Sequence, residues 1–175
     1  MKAIKNIIFD LGGVLIHLQP KWTEAAFCAL VGDKKEYARI SSLLQAENIF
    51  NDFETGAIGE SEFIAALQKY NPNPVTRAQL ETAWNAMLLD IPTSGLDLVQ
   101  DLQNQGYKVY LLSNTNSIHL TGFTKIAKEE NTKAIVEACE LVCRVHVSDI
   151  FTINDSLELI NQYGSLFDVE TKASS

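Results

Sequence analysis

Two short apolar runs in the chain have the pattern of buried parallel strands. Residues 4–9 (IKNIIF) and 107–112 (YKVYLL) are rich in β-branched, aromatic and other apolar side chains, and a polar or glycine-containing segment follows each run. Strands that are covered on both faces show such runs in place of polar alternation. A helix with Ser94 as its N-cap and Gly106 as its stop is expected directly before the second run. The pattern predicts an α/β fold with a parallel sheet.

The segment between the two strands carries apolar positions at helical spacing and no strand pattern. Thr76 and Gln79 are expected to form a capping box at the start of one helix. Trp22 and Trp84 are expected in the core of this helical segment. Helices are predicted over residues 21–31, 35–47, 61–69 and 77–89. A strand followed by a helical insert and a return to the sheet favours an inserted cap domain.

Beyond residue 116 the pattern predicts further helices and short strands. In chain order these are helices over 117–130 and 132–143, a strand over 150–153, a helix over 156–163 and a strand over 165–169. The expected domain organisation is a core domain of residues 1–16 and 92–175 and a helical cap domain of residues 17–91.

The composition is that of an acidic globular protein, and it excludes several partners. Hydrophobic residues make up 46% of the 175 residues, which is enough for a packed core. The formal net charge of −8 repels phosphate backbones and anionic lipid, so neither nucleic acid nor a membrane is an expected partner. No apolar run approaches the ~20 residues that cross a bilayer, and no secretory signal is recognised. Three cysteines without disulfide-like spacing complete the expectation of a cytoplasmic protein.

Reactive side chains follow both predicted strands. Asp10 comes directly after the first strand and Ser113 after the second, and open parallel sheets bind ligands at the carboxyl ends of their strands. A carboxylate in such a place can attack phosphorus and form an aspartyl-phosphate. Glycines such as Gly12 and Gly13 let the backbone approach a ligand closely. The pattern thus makes Asp10 a candidate nucleophile; phosphoryl transfer would also need cationic help, from Mg²⁺ and usually a lysine.

The two strand ends carry motifs of a known superfamily. The stretch IIFDLGGVL at 7–15 resembles the first motif of the haloacid dehalogenase (HAD) superfamily, and VYLLSNTN at 109–116 resembles the second. Between them, FETGAIGESEF at 53–63 and AWNAMLLDIP at 83–92 resemble cap segments of bacterial phosphatase-like members. The resemblance covers roughly residues 4–123. It implies a three-layer, Rossmann-like parallel-sheet core with an inserted helical C1 cap, as in subfamily I.

The resemblance also implies roles for individual residues. Asp10 would be the nucleophile and a Mg²⁺ ligand, and the backbone carbonyl of Gly12 would be a second ligand. Ser113 would bind the phosphoryl group with Asn114 beside it, and Gly13 would border the substrate. The implied activity is Mg²⁺-dependent hydrolysis of a small phosphorylated metabolite by a HAD-type phosphatase.

The chain departs from the superfamily pattern at three motifs. Many phosphatase members carry a general-acid Asp two residues after the nucleophile, where this chain has Gly12. The expected lysine after the second motif commonly precedes proline; no Lys-Pro occurs here, and Lys128 is the best candidate, followed by Lys125. The later Asp-Asp pair for Mg²⁺ resembles FTINDSLELI at 151–160, with Asp155 as the retained carboxylate.

A second register is open for these C-terminal motifs. There, CRVHVSD at 143–149 corresponds to the strand before the missing lysine, and the metal motif lies beyond the chain. Both registers imply a degraded Mg²⁺ site. Two alternative functions therefore stay open: a catalytically impaired HAD-fold binding or interaction protein, and a metal-independent, dehalogenase-like hydrolase. The sequence also leaves open the substrate and the choice between monomer and dimer.

Overall fold

The computed structural model describes residues 6–111, 113 and 115–129. This part of the chain contains two strands and seven helices, and the first five helices form an insert between the strands. In chain order the elements are β1 (Asn6–Phe9), α1 (Pro20–Val31), α2 (Lys34–Ala46), α3 (Ile49–Glu54), α4 (Glu60–Tyr70), α5 (Arg77–Asn85), α6 (Thr93–Asn104), β2 (Lys108–Leu111) and α7 (Ser117–Glu129). The predicted α/β fold with a parallel sheet is confirmed.

Strands β1 and β2 pair side by side in parallel. The register runs from Asn6 opposite Lys108 to Phe9 opposite Leu111. Because the strands are parallel, both leave the sheet at the same edge. Buried side chains from the turn after β1, from α6, β2 and α7 and from the approach to α6 pack into one apolar cluster: Leu11, Leu15, Ile16, Ile91, Val99, Leu111, Phe123 and Ala127. This cluster packs the turn after β1 together with β2, α6 and α7.

The helices of the five-helix insert (α1–α5) pack around a second apolar cluster. Phe63 is fully buried, and its ring stacks on Phe53 with the centroids 4.1 Å apart. Trp84 lies edge-on to Phe63 at 4.9 Å and so extends the aromatic core towards α5. Ile118 of α7 packs into the same cluster. The first turn of α7 is therefore held by the insert, although α7 follows β2 in the chain.

The two chain segments that join the insert to the sheet are hydrogen-bonded to each other. The backbone N–H of His17 donates to the carbonyl of Asp90 at 3.0 Å, and the N–H of Leu89 donates back to the carbonyl of His17 at 2.9 Å. Leu18 and Leu88 form an antiparallel bridge beside them. The entry to the insert and the exit from it thus form one short ladder.

Most helices of the insert lie where the pattern predicts them, and the capping box of Thr76 and Gln79 is present. Two boundaries differ. Helix α6 begins at Thr93 with Pro92 in the N-cap position, so the prediction of Ser94 as the N-cap is wrong. Helix α5 ends at Asn85 and not at residue 89, because the following residues join the ladder described above.

Two further details of the insert differ from the prediction. The six-residue helix α3 was not predicted, because a helix this short carries too few positions to show a period. Trp22 is 57% exposed, so its predicted place in the core is wrong, whereas Trp84 is buried as predicted. The face of α1 that packs inward carries Phe27, Leu30 and Val31 instead.

The predicted elements beyond residue 129 lie outside the described residues. The described part contains no helix that is both long and apolar enough to span a membrane. The division into a core domain and a separate cap domain of residues 17–91 stays a prediction.

Candidate active site

A tight turn after β1 presents Asp10 to solvent. The carbonyl of Leu11 accepts hydrogen bonds from the N–H groups of Leu15 and Ile16 at 2.9 and 3.0 Å. Gly13 has a φ of +73°, in the left-handed region that favours glycine. The side chains of Leu11, Leu15 and Ile16 are buried and hold the turn to the core, whereas Asp10 is exposed. Asp10 Oδ1 accepts a bond from the N–H of Leu11 at 2.7 Å, which orients the carboxylate.

The register of the strands brings Ser113 to the same edge of the sheet as Asp10. Since Phe9 pairs with Leu111, Asp10 lies one residue beyond the paired end of β1 and Ser113 two residues beyond that of β2. Neighbouring strands lie about 4.8 Å apart. Ser113 is half-buried. A carboxylate and a hydroxyl that leave adjacent strand ends can serve one bound ligand, the carboxylate as nucleophile and the hydroxyl as hydrogen-bond donor.

Gly12 lies in the turn at the position where many phosphatases carry their acid. A Cβ added at Gly12 would lie 2.9 Å from Cδ1 of Leu18, well inside the ordinary separation of about 3.5–4.0 Å between carbon atoms. The φ of Gly12 is not in the left-handed region, so its backbone does not itself exclude a side chain. The end of the Leu18 side chain would therefore have to shift to admit a residue larger than glycine.

The turn offers oxygen atoms of the kind that Mg²⁺ binds. Mg²⁺ is usually held by one or two carboxylates together with water and substrate phosphate, and Asp10 supplies an exposed carboxylate two residues before Gly12. Within residues 6–129, as far as they are described, no three His, Cys, Asp or Glu side chains form a ready cluster for a metal ion. The donors present fit a Mg²⁺ whose coordination is completed by water, substrate and a further carboxylate.

The other predicted site residues are described only in part. Gly13 lies in the turn beside Asp10. Lys128 belongs to α7, but its side chain is outside the described residues, and Lys125 of the same helix is exposed. Asn114 and Asp155 are also outside the described residues. The roles expected of Lys128, Asn114 and Asp155 stay predictions.

A polar cluster around the buried Asn116, which lies three residues after Ser113, connects the insert to the first turn of α7. Asn116 Oδ1 accepts hydrogen bonds from Trp84 Nε1 at 3.3 Å and from the backbone N–H of His119 at 3.0 Å. Asn116 Nδ2 donates to Glu54 Oε1 at 2.9 Å. His119 Nδ1 lies 3.0 Å from Asn85 Oδ1, and its ring stacks on Trp84 at 5.2 Å. We call these five residues, Glu54, Trp84, Asn85, Asn116 and His119, the junction.

Burial shifts both titratable groups of the junction towards their neutral forms. It lowers the pKa of His119 to about 4. It also raises the pKa of Glu54, while the hydrogen bond from Asn116 acts in the opposite direction. His119 is therefore neutral at physiological pH, and the tautomer that carries its proton on Nδ1 donates to Asn85 Oδ1.

A cavity of about 240 Å³ lies inside the insert, apart from the strand ends. Its walls are mainly apolar and include Phe27, Leu44 and Trp84. Glu24 is the one charged residue among those that line it, and a carboxylate repels phosphate. Among the described residues that line it there is no lysine, arginine or histidine to bind a phosphate.

The family of the chain is decided by its similarity to known proteins. Residues 4–153 match the model of the haloacid dehalogenase-like hydrolases. The chain belongs to this family. A D-ribitol-5-phosphate phosphatase from Bacteroides thetaiotaomicron is 33% identical to this HAD-like hydrolase over 113 residues, which are 65% of this chain and 53% of the relative. The chain thus spans about half the length of this curated relative.

Solved structures of HAD family proteins share the fold of this HAD-like hydrolase. A B. thetaiotaomicron HAD family enzyme in complex with magnesium and inorganic phosphate is 39% identical, with a TM-score of 0.60 over 70% of this chain and 59% of the other. A magnesium complex of that enzyme is 28% identical, with a TM-score of 0.73 over 94% and 79%. A predicted HAD-like hydrolase from Porphyromonas gingivalis is also 28% identical, with a TM-score of 0.65 over 92% and 77%.

The sequence reasoning did not identify the junction of this HAD-like hydrolase. Glu54 lies in the segment at 53–63 that resembles phosphatase caps, but nothing in the pattern pairs it with a residue after β2. Asn116 has one local signal, since an Asn directly before a helical pattern is a typical N-cap. Its burial depends on Glu54 of α3 and Trp84 of α5. The pattern of residues around Asn116 does not show that these distant segments contact it.

Proposed function

We propose that this HAD-like hydrolase is a Mg²⁺-dependent phosphatase that acts on a small phosphorylated metabolite through a phosphoenzyme at Asp10. One observation carries the proposal: the parallel pairing that ends at Phe9 and Leu111 sends Asp10 and Ser113 out of the same edge of the sheet. The relative named as a D-ribitol-5-phosphate phosphatase supports the same reaction class. A polyol or sugar phosphate is therefore the first substrate class to test.

The reaction uses Asp10 as the covalent nucleophile. A carboxylate oxygen of Asp10 attacks phosphorus, the bond between phosphorus and the ester oxygen breaks, and the alcohol leaves with a proton taken from water. Water then attacks the phosphorus of the aspartyl-phosphate, which releases inorganic phosphate and restores the carboxylate. The hydroxyl of Ser113 donates a hydrogen bond to a phosphoryl oxygen throughout and keeps the group in line.

A bound Mg²⁺ would neutralise charge on the phosphoryl oxygens and reduce the repulsion between phosphate and the Asp10 carboxylate. Asp10 and the carbonyl of Gly12 would hold it, and Asp155 is the predicted third protein ligand. This neutralisation matters in a protein whose formal net charge is −8, since the overall field repels an anionic substrate.

A second candidate function uses the same nucleophile. Gly12 provides no acid, and Leu18 fills the space beside it, an arrangement that favours leaving groups which depart without a proton. Halide ions are such leaving groups. Attack of Asp10 on the carbon of a 2-haloacid would break the carbon–halogen bond and form an ester, which water would hydrolyse. Release of halide in the absence of metal would support this function.

The proposal is tested by ligand binding and turnover in matched variants. Wild type, Asp10→Asn and Asp97→Asn are compared, because Asp97 is an exposed carboxylate of α6 whose replacement changes the net charge equally. We expect BeF₃⁻ with Mg²⁺ to raise the melting temperature of wild type and Asp97→Asn but not of Asp10→Asn. Turnover of p-nitrophenyl phosphate and of D-ribitol 5-phosphate should require Mg²⁺ and be lost only in Asp10→Asn.

The opposite results separate the alternatives. A wild type that shows neither the BeF₃⁻ shift nor turnover at high Mg²⁺ would refute the phosphatase and favour a catalytically impaired binding protein. Halide release without a BeF₃⁻ shift would favour the dehalogenase-like reaction. Turnover that persists in Asp10→Asn would show that another group carries the chemistry.

A further inference from the structure

Asn116 is the one buried polar residue among the residues that the structure describes, with 1% of its surface exposed. It directly precedes α7, and its Oδ1 accepts the backbone N–H of His119, three residues on, as an N-cap does. The same oxygen accepts Trp84 Nε1 from α5. Its amide nitrogen donates to Glu54 of α3. One side chain thus joins three helices, two of the insert and one that follows β2.

These bonds fix the orientation of the Asn116 amide. Its carbonyl oxygen has two lone pairs and faces two N–H donors, and its NH₂ group faces a carboxylate. The reversed amide would direct N–H groups at the N–H groups of Trp84 and His119. No buried polar side-chain atom in the described part lacks a partner, and a buried donor or acceptor that loses its partner is costly. The side-chain oxygen of Asn116 therefore faces only donors, and its side-chain nitrogen faces an acceptor.

The rest of the first turn of α7 is also held by the insert. Ser117 Oγ donates to Glu60 Oε2 of α4 at 2.8 Å, and Glu60 in turn contacts Arg77 of α5. A Cβ at Gly122 would lie only 2.7 Å from the Asn85 side chain, so α5 and α7 approach as closely as glycine allows. The position of α7 relative to the insert is fixed by bonds as well as by apolar contact.

Ser113 is separated from Asn116 by only two residues. Three residues of chain span at most about 10 Å, so a displacement of Asn116 is passed to the segment that carries Ser113. On the other side of that segment, β2 is fixed by its pairing with β1. The segment that carries Ser113 therefore runs from the paired end of β2 to Asn116, which is held by the insert.

We propose that Asn116 is a positioning residue: by bonding Glu54, Trp84 and the first turn of α7 together, it holds the insert in register with the segment that presents Ser113. The proposal rests on the proposed function, because it assigns Ser113 to a phosphate. Asn116 acts through Ser113 and does not itself react. Loss of its bonds should lower turnover and weaken phosphate binding while the fold is kept.

The test exchanges donor and acceptor between Asn116 and Glu54. Asn116→Asp keeps the acceptor for Trp84 and His119 but turns a carboxylate oxygen towards Glu54, so at alkaline pH, where Glu54 is ionised and cannot donate a proton to it, we expect kcat/KM to fall about tenfold or more. Glu54→Gln keeps an acceptor for Asn116 and should stay within about threefold of wild type. In the double variant the new amide at position 54 can donate to the new carboxylate at position 116, so kcat/KM should recover to within about threefold of Glu54→Gln alone. Asn51→Asp, an exposed change of the same charge on α3, is the matched control.

A second measurement follows the junction without any turnover. The chain has two tryptophans, so replacing the exposed Trp22 by Phe leaves Trp84 as the reporter. In this background Asn116→Asp should change the emission of Trp84, and adding Glu54→Gln should restore it. Binding of BeF₃⁻ should weaken and recover in parallel, a response that a purely stabilising role of Asn116 would not give.

The outcomes decide the two proposals separately. Wild-type kcat, KM and BeF₃⁻ binding in Asn116→Asp, or no recovery in a folded double variant, would overturn the positioning role and leave the phosphatase in place. If wild type has no activity and binds no BeF₃⁻, the proposed function fails. If, in addition, Trp84 emission is the same with Asn116, with Asn116→Asp and in the double variant, the positioning role of Asn116 fails as well. Circular dichroism of each variant confirms that folded protein is compared.

Discussion

The effect of having glycine and no general acid at position 12 can be tested by introducing the Asp that many related phosphatases carry there. An Asp at this position would protonate the leaving oxygen, and general-acid catalysis typically contributes about 10²–10⁴-fold. The obstacle is steric, because a Cβ at Gly12 would lie 2.9 Å from Cδ1 of Leu18. We therefore combine Gly12→Asp with Leu18→Ala, which removes the conflicting methyl groups. Leu18 is only half-buried, so its truncation should cost less than the ~2–5 kcal/mol of a fully buried leucine.

The choice of substrate shows whether the new Asp acts as an acid. An alkyl phosphate releases an alkoxide that needs a proton, whereas p-nitrophenyl phosphate releases a phenolate that is stable at neutral pH. Relative to Leu18→Ala alone, we expect Gly12→Asp with Leu18→Ala to raise kcat/KM about 10²–10⁴-fold for the alkyl phosphate. The p-nitrophenyl ester should change by much less. The gain should decline as the pH rises, because the Asp must be protonated to donate.

The matched control is Gly12→Asn with Leu18→Ala, which adds a side chain of the same size that cannot donate an acidic proton. It should give no gain for the alkyl phosphate. Equal gains for the two substrates, or a gain in the Asn control, would refute the assignment of an acid role. No gain in a variant that still binds BeF₃⁻ with Mg²⁺ would show that position 12 does not face the leaving group.

Three further predictions concern stability, and urea unfolding measures each of them. The pKa of His119 is about 4 in the folded chain and about 6.5 when unfolded, so only the unfolded chain takes up this proton between those pH values. The free energy of unfolding should therefore fall as the pH drops from about 6.5 to 4, by up to about 1.4 kcal/mol per pH unit, and His119→Gln should remove this slope. Phe63→Ala should cost about 3–5 kcal/mol because Phe63 is fully buried, and Trp22→Ala should change stability by only about 0.5 kcal/mol because Trp22 is exposed; equal costs would contradict this core. Thr76→Ala should cost about 1 kcal/mol by removing the N-cap of α5, and Thr76→Ser should keep most of it.

The parts of the fold that could be predicted are those with a local physical cause. The strands around residues 4–9 and 107–112 were recognisable because β-branched and aromatic residues favour strands, but they are less buried than predicted, since Ile8 and Lys108 are exposed and only Leu111 of β2 is buried. The start of α5 was recognisable because Thr76 and Gln79 satisfy backbone groups within one turn. Asp10 and Ser113 followed from these strands, since the ends of parallel strands share one edge.

The parts that could not be predicted depend on contacts between distant segments. Ser94 looks like an N-cap, but α6 starts earlier because Pro92 takes that position. Trp22 is apolar, yet α1 turns Phe27 and Val31 inward, and the choice between these faces depends on α2 and α5. In the second motif, Asn116 looks like part of a polar turn. Its burial exists only because Glu54 and Trp84 arrive from the insert.

The missing acid and the attachment of the insert are two aspects of one packing arrangement. Leu18 belongs to the ladder that ties the insert to the sheet, through its bridge with Leu88, and its side chain also fills the space next to Gly12. A side chain at position 12 would require the end of the Leu18 side chain to shift at the base of the insert, so the effect of an acid there depends on how freely Leu18 can move. We therefore expect the reaction proposed for Asp10 to favour leaving groups that need no proton from the protein. Gly12→Asp with Leu18 intact tests this coupling directly: a gain for the alkyl phosphate equal to that of Gly12→Asp with Leu18→Ala would show that Leu18 does not block an acid at position 12.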